Sequence, residues 1–117
     1  MSLTIAAVTF DSTDAATLAT FWSALLERPV DPDPSAEYAS IGMGGPSSPA
    51  LCFVAVPDKA PGKNVVHLDL ASKDLAADVD RAIDLGAKRV GDFDESGFVW
   101  TTLADPEGNL FDIAKED

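Results

Sequence analysis

The chain repeats itself, and that repeat constrains its fold more than any other feature. Residues 6–30, AAVTFDSTDAATLATFWSALLERPV, lie over residues 66–90, VHLDLASKDLAADVDRAIDLGAKRV, at a constant offset of sixty and without a gap. Asp14 falls on Asp74, Leu25 on Leu85, Val30 on Val90 and Ala7 on His67. Few aligned residues are identical; what recurs is the order of apolar and polar positions. Within 117 residues, one domain's worth, such a repeat implies two copies of one supersecondary unit.

Each copy opens with a strand. Ala6, Val8 and Phe10 alternate with Ala7, Thr9 and Asp11, and Val66, Leu68 and Leu70 alternate with Val65, His67 and Asp69. Period two means two faces, one more apolar than the other. A helix follows each strand. Asp14 and Asp74 are placed to cap its first-turn amides, and Leu18, Phe21, Trp22 and Leu25 form an apolar stripe at helical spacing. Leu75, Val79, Ala82 and Ile83 form the second stripe; Gly86 stops that helix and Pro29 closes off the first.

Short strand-like runs come next. The first copy offers EYASIGM, the loop GGPSSP and ALCFVAV; the second offers AKRVGDF, GFVWTTL, the turn DPEGN and LFDIA. The run RPVDPDP is broken by proline, so a strand there is the least defined. GGPSSP lacks the lysine and following helix of a phosphate loop and reads as a hairpin loop. The segment PDKAPGKN, 57–64, reads as a linker. The expectation is an α+β fold on a single domain, 1–117, with module one at 1–58, the linker at 57–64 and module two at 64–117.

Charge and cysteine usage narrow the partners. Twenty acidic against eight basic residues leave a net charge of -12, which disfavours nucleic acid and anionic membrane surfaces. A neutral or cationic ligand is compatible with that field. Cys52 is the single cysteine, so there is no internal disulfide, and the chain suits a reducing compartment. The N-terminus has no basic n-region and too short an apolar run for a signal peptide or span, so a cytoplasmic location is expected.

Tandem strand-helix-strand modules, HLDL opening the second, LGAKRV after its helix and DPEGNLFDI near the end resemble the glyoxalase/bleomycin-resistance/dioxygenase superfamily, also called vicinal oxygen chelate. TLATFWSALLERPV, KNVVHLDL and DPEGNLF look most like its small bacterial glyoxalase-like members. The resemblance implies βαβββ modules whose curved mixed sheet surrounds a cavity, with helices on the convex face. Val66, Leu68, Leu70, Phe111 and Ile113 would then pack on the helices, while His67 and Asp112 point into the cavity.

Metal-dependent members draw ligands from the first and last strand of each module. Carried over singly, those positions give His67, Asp112, Ala7, and Val54 or a neighbour. Cys52 would enter only if the register slipped by two. Two side chains are too few for a catalytic metal, so the complete family site, and hence any cofactor, is not expected. His67 and Asp112 then satisfy one another at a cavity wall, act as an acid/base pair, or hold a partial or adventitious metal.

Phe98 and Trp100 share a strand face with Thr102 and, with Tyr38, are candidate ligand contacts. Trp22 is expected in the core. The function that follows is binding of a small organic molecule, cationic or aromatic, with the superfamily's drug-sequestering, bleomycin-resistance type as the implied pattern. The alternative is an enzyme of the same superfamily: a metal-dependent lyase, isomerase or dioxygenase, or metal-free acid/base chemistry by His67 and Asp112. The resemblance also implies a homodimer.

Overall fold

A computed structural model describes residues 5–43, 49–57 and 66–116. The chain divides into two compact units between Ala60 and Pro61. The first holds β1 (Ala7–Ser12), α1 (Ala15–Leu26), β2 (Tyr38–Ile41) and β3 (Ala50–Ala55). The second holds β4 (Leu68–Ser72), α2 (Leu75–Asp84), β5 (Lys88–Glu95), β6 (Phe98–Ala104) and β7 (Leu110–Lys115). The expected α+β class is found, and the repeat runs further than the sequence pattern alone reached. The helices begin at Ala15 and Leu75, and the last strands at Ala50 and Leu110, sixty residues apart in both cases.

The sheet order is β1-β3-β2 in the first unit and β4-β7-β6-β5 in the second. In each, the first and last strands pair in parallel, and the other neighbours are antiparallel. A parallel pair needs a long crossover, which the helix supplies. Both helices start where expected. Asp14 accepts a hydrogen bond from the Thr17 N–H and Asp74 from the Ala77 N–H, each at 3.2 Å. α1 ends at a left-handed Glu27, two residues before Pro29; after α2, Gly86 sits at φ 123°, where a side chain would be strained.

Two small cores result. In the first unit Leu18, Phe21, Trp22 and Leu25 are buried, and Phe10 stacks on Phe53 at 5.1 Å while meeting Trp22 at 5.5 Å. In the second, Val79 and Ala82 of α2 are buried, as are Leu103, Phe111 and Ile113 of the sheet. Two expected packing residues depart from this. Val66 is exposed because β4 begins only at Leu68, and Ile83 is exposed at the margin of α2.

Among the described residues, the first unit has no counterpart of β5. Val30 makes a single antiparallel bridge to Ile41, and nothing longer forms around it. Pro29, Pro32 and Pro34 have no N–H to give a ladder. Asp31 replaces the missing pairing with side-chain bonds. Its carboxylate accepts from Ser40 Oγ and the Met43 N–H, both at 2.8 Å, and from the Gly42 N–H at 3.1 Å. These bonds, the Met43 amide foremost, then the Ser40 hydroxyl, hold the Asp31 carboxyl below its ordinary pKa. Of the expected linker only Pro57 is described, and of the loop GGPSSP only Pro49; the rest lies outside the described residues.

Candidate functional site on the second sheet

Strand register decides which side chains meet. β4 and β7 pair with Asp69 opposite Asp112; β6 and β7 pair with Thr102 opposite Asp112 and Trp100 opposite Ala114. β5 and β6 place Phe93 opposite Trp100. Directly paired residues project to the same side of a sheet. Leu103, Phe111 and Ile113 occupy the face that buries α2, so Asp69, Asp112, Thr102, Trp100 and Phe93 share the other.

His67 stands one residue ahead of β4, rather than within the strand as its alternation suggested. Its Nε2 lies 3.3 Å from Asp69 Oδ1 and 3.4 Å from Asp112 Oδ2. Asp112 turns its other oxygen to the Thr102 hydroxyl, which donates at 2.6 Å. A carboxylate between Phe111 and Ile113 is thereby explained: it faces away from the helix and has two polar partners. Its side chain is 18% exposed, against 44% for His67 and 68% for Asp69. Asp112 is the fixed member, Asp69 the adjustable one.

The aromatic candidates separate. Trp100 stacks on Phe93 with centroids 5.1 Å apart and planes 18° from parallel. Phe93 had no role in the sequence reading; its position opposite Trp100 across the β5–β6 hairpin was the available signal. Phe98 lies at the hairpin end beside the Ser96–Gly97 turn and is 75% exposed. Tyr38 belongs to the first unit, where its hydroxyl donates to Cys52 Sγ at 3.7 Å. That bond, followed by desolvation, raises the Tyr38 pKa above its ordinary value.

The register also corrects the expected fourth ligand position. In the first unit Thr9 pairs with Cys52; in the second Asp69 pairs with Asp112, forty-three residues apart each time. Cys52, not Val54, is therefore the counterpart of Asp112. ALCFVAV is apolar throughout, so no alternation separates Val54 from its neighbours in the sequence. The four family positions are then Ala7, Cys52, His67 and Asp112. A methyl group and a buried thiol held by Tyr38 do not make a hard or borderline set with one imidazole and one carboxylate. The complete family metal site does not fit this chain. Among the described residues, the potential metal-binding group is instead His67, Asp69 and Asp112, with donor atoms within 4.8 Å of one another.

A groove of about 520 Å³ runs along the first turns of α2 and is lined on the sheet side by Phe93, Val99, Trp100 and Thr101. Lys73, Arg89 and Lys115 line it together with Asp74, Asp80 and Asp92, so its charges balance.

Repeated units with parallel first and last strands, a crossover helix and polar side chains on the face away from it define a tandem-module α+β protein. The family model of the glyoxalase-like domain matches residues 7–114, and the chain belongs to that family. Its fold is that of solved members of the wider superfamily. A glyoxalase/bleomycin resistance protein/dioxygenase family enzyme from Burkholderia phytofirmans is 17% identical, with 94% of this chain and 96% of that chain covered and a TM-score of 0.78. A genomically encoded fosfomycin resistance protein from Listeria monocytogenes is 11% identical, covering 100% and 96%, at a TM-score of 0.77. A lactoylglutathione lyase from Agrobacterium tumefaciens is 11% identical, covering 98% and 95%, at a TM-score of 0.68. No curated protein sequence matches the chain significantly. No helix among the described residues is long and apolar enough to cross a membrane.

Proposed function

We propose that this glyoxalase-like protein binds a small organic molecule on the α2-distal face of its second sheet, without the complete metal site of the superfamily. The observation that carries the reading is a polar group beside an aromatic one on a single face. His67 and Asp112 are the anchors, Asp69 adds charge, and the Phe93–Trp100 stack supplies a planar wall. Phe98 extends that wall; Tyr38, engaged with Cys52 in the first unit, is not used. A cytoplasmic homodimer of the drug-sequestering kind is the setting we propose from the resemblance.

The preferred ligand is cationic and aromatic. Two carboxylates on one face and a net charge of -12 favour it, and each cation–ring contact adds about 0.5–2 kcal/mol. A thermal-shift screen of a mixed library in chelator tests this, because saturating ligand raises apparent stability by mass action. Cationic aromatics should dominate the hits and weaken in Asp112→Asn. A hit list of carboxylates and phosphates would overturn the electrostatic reading.

A second reading rests on one contact set. An imidazole between two carboxylates, one fixed by Thr102, is the arrangement of a positioned acid/base group. Turnover that survives chelation and is lost in His67→Gln would favour it over simple binding.

A further inference from the structure

We propose that the free edge of β5 is an interface with a second copy of this chain, the two strands pairing antiparallel about a two-fold axis. β5 ends the sheet order β4-β7-β6-β5 and pairs on one side only, with β6. Its outer edge presents backbone N–H and C=O groups with no strand partner among the described residues, and such an edge is a template for another strand. Seven of its eight residues are exposed, so no described part of the chain covers it.

Charge names the occupant. β5 reads KRVGDFDE, with Lys88 and Arg89 at its start and Asp94 and Glu95 at its end. An antiparallel second copy sets the basic end of each strand beside the acidic end of the other. Lys88 then meets Glu95 of the second copy and Arg89 meets Asp94, each pair occurring twice by symmetry. Opposite charges directly across neighbouring strands stabilise a sheet, and like charges destabilise it. A parallel pairing in register would set Lys88 on Lys88 and Glu95 on Glu95, so the same residues exclude it. Charges of one sign would blunt the edge; segregated signs select one partner and one direction. Among the described residues the other edge strands, β1, β2 and β4, carry no base at all.

The bulge makes the two ends compatible. Opposed residues of an antiparallel pair project to one face of the sheet. In an unbroken strand Lys88 and Glu95, an odd number of residues apart, would project to opposite faces. The register shift between Arg89 and Gly91 removes that conflict. Lys88 pairs with Ala104 and Glu95 with Phe98, so both lie on the face away from α2. Arg89 pairs with Leu103 and Asp94 with Val99, so both lie on the α2 face. With Val90 set aside in the bulge, the two-fold axis passes at Asp92. That carboxylate already accepts from Arg89 Nη1 at 2.6 Å and Thr101 Oγ1 at 2.8 Å, so it does not face its counterpart bare. Phe93, 41% exposed, falls opposite Gly91 of the second copy, where no side chain crowds the ring.

A single strand edge is a small contact, so the dimer it forms is a reversible one. The inference rests on the homodimer given with the proposed function, not on the ligand, and adds the surface, the register and the charge pairs.

The test is sedimentation velocity of the full-length protein over a concentration series from micromolar to millimolar. The parent should show concentration-dependent exchange between monomer and dimer. Lys88→Glu and Glu95→Lys should each weaken association about tenfold or more, because symmetry counts every substitution twice. An equimolar mixture of the two variants should recover parental association, since each then meets the opposite charge, and so should the Lys88→Glu/Glu95→Lys double variant. Neither side chain makes an ion pair among the described residues, and circular dichroism and thermal melts of each variant check that it folds. A parent that stays monomeric overturns the interface and the homodimer together. A dimer that both single variants keep at parental strength overturns the β5 interface alone, in favour of another surface. Weakening that neither the mixture nor the double variant reverses overturns the paired register. The ligand screen is unaffected by any of these failures.

Discussion

Removing the Thr102 hydroxyl tests how the site is held. Thr102→Val keeps the side chain's shape and deletes the donor of the 2.6 Å bond to Asp112 Oδ1. A hydrogen bond to a charged group contributes about 1.5–3 kcal/mol when water cannot replace it. Asp112 is 18% exposed, so water can partly substitute, and the expected loss lies at or just below that range, about 1–1.5 kcal/mol. At roughly 3–6 °C per kcal/mol for a chain of this size, Tm should fall by about 3–9 °C. Asp112→Asn alone and the Thr102→Val/Asp112→Asn pair complete a double-mutant cycle, with a coupling near 1 kcal/mol expected. The assay is urea unfolding followed by tryptophan fluorescence, which reports both units because Trp22 lies in the first and Trp100 in the second. An unchanged m-value is required, so that the shift is one of stability. If Thr102→Val is as stable as the parent, or the two changes are additive, Thr102 does not hold Asp112, and its positioning role in the site fails with it.

Two further predictions concern the first unit. Asp31 has its folded pKa depressed below 3.8, so its contribution is present above that value and is lost as pH falls through the lower folded one; Asp31→Asn should flatten this part of the acid unfolding curve, and equally steep curves for parent and variant would refute the assignment. Phe53 is fully buried against Phe10, and Phe53→Ala should cost about 3–5 kcal/mol in urea unfolding; a loss below ~1 kcal/mol would show that the first core is not organised around it.

Local chemistry wrote much of this fold into the sequence. The offset of sixty fixed two like units, because period-two and helical spacings are properties of neighbouring residues. Asp14 and Asp74 cap their helices as read, since a cap needs only amides two or three residues away. DPEGN closes as a turn in which Asp105 accepts from the Glu107 and Asn109 N–H groups, both at 2.9 Å. The prolines of RPVDPDP foretold the strand reduced to a bridge at Val30. The alternation also placed Asp112 and Thr102 away from α2.

Tertiary pairing decided the rest. That Cys52 answers Asp112, that Asp69 completes a three-donor group, and that Phe93 stacks on Trp100 all depend on which residue of one strand meets which residue of another. Register comes from contacts between strands distant in the chain, and a shift of two residues preserves every facing pattern while exchanging every partner. An apolar run such as ALCFVAV is indifferent to that shift. The sequence therefore determined which way His67, Asp69 and Asp112 lie relative to the core, and only the parallel pairing of β4 with β7 decided that they meet.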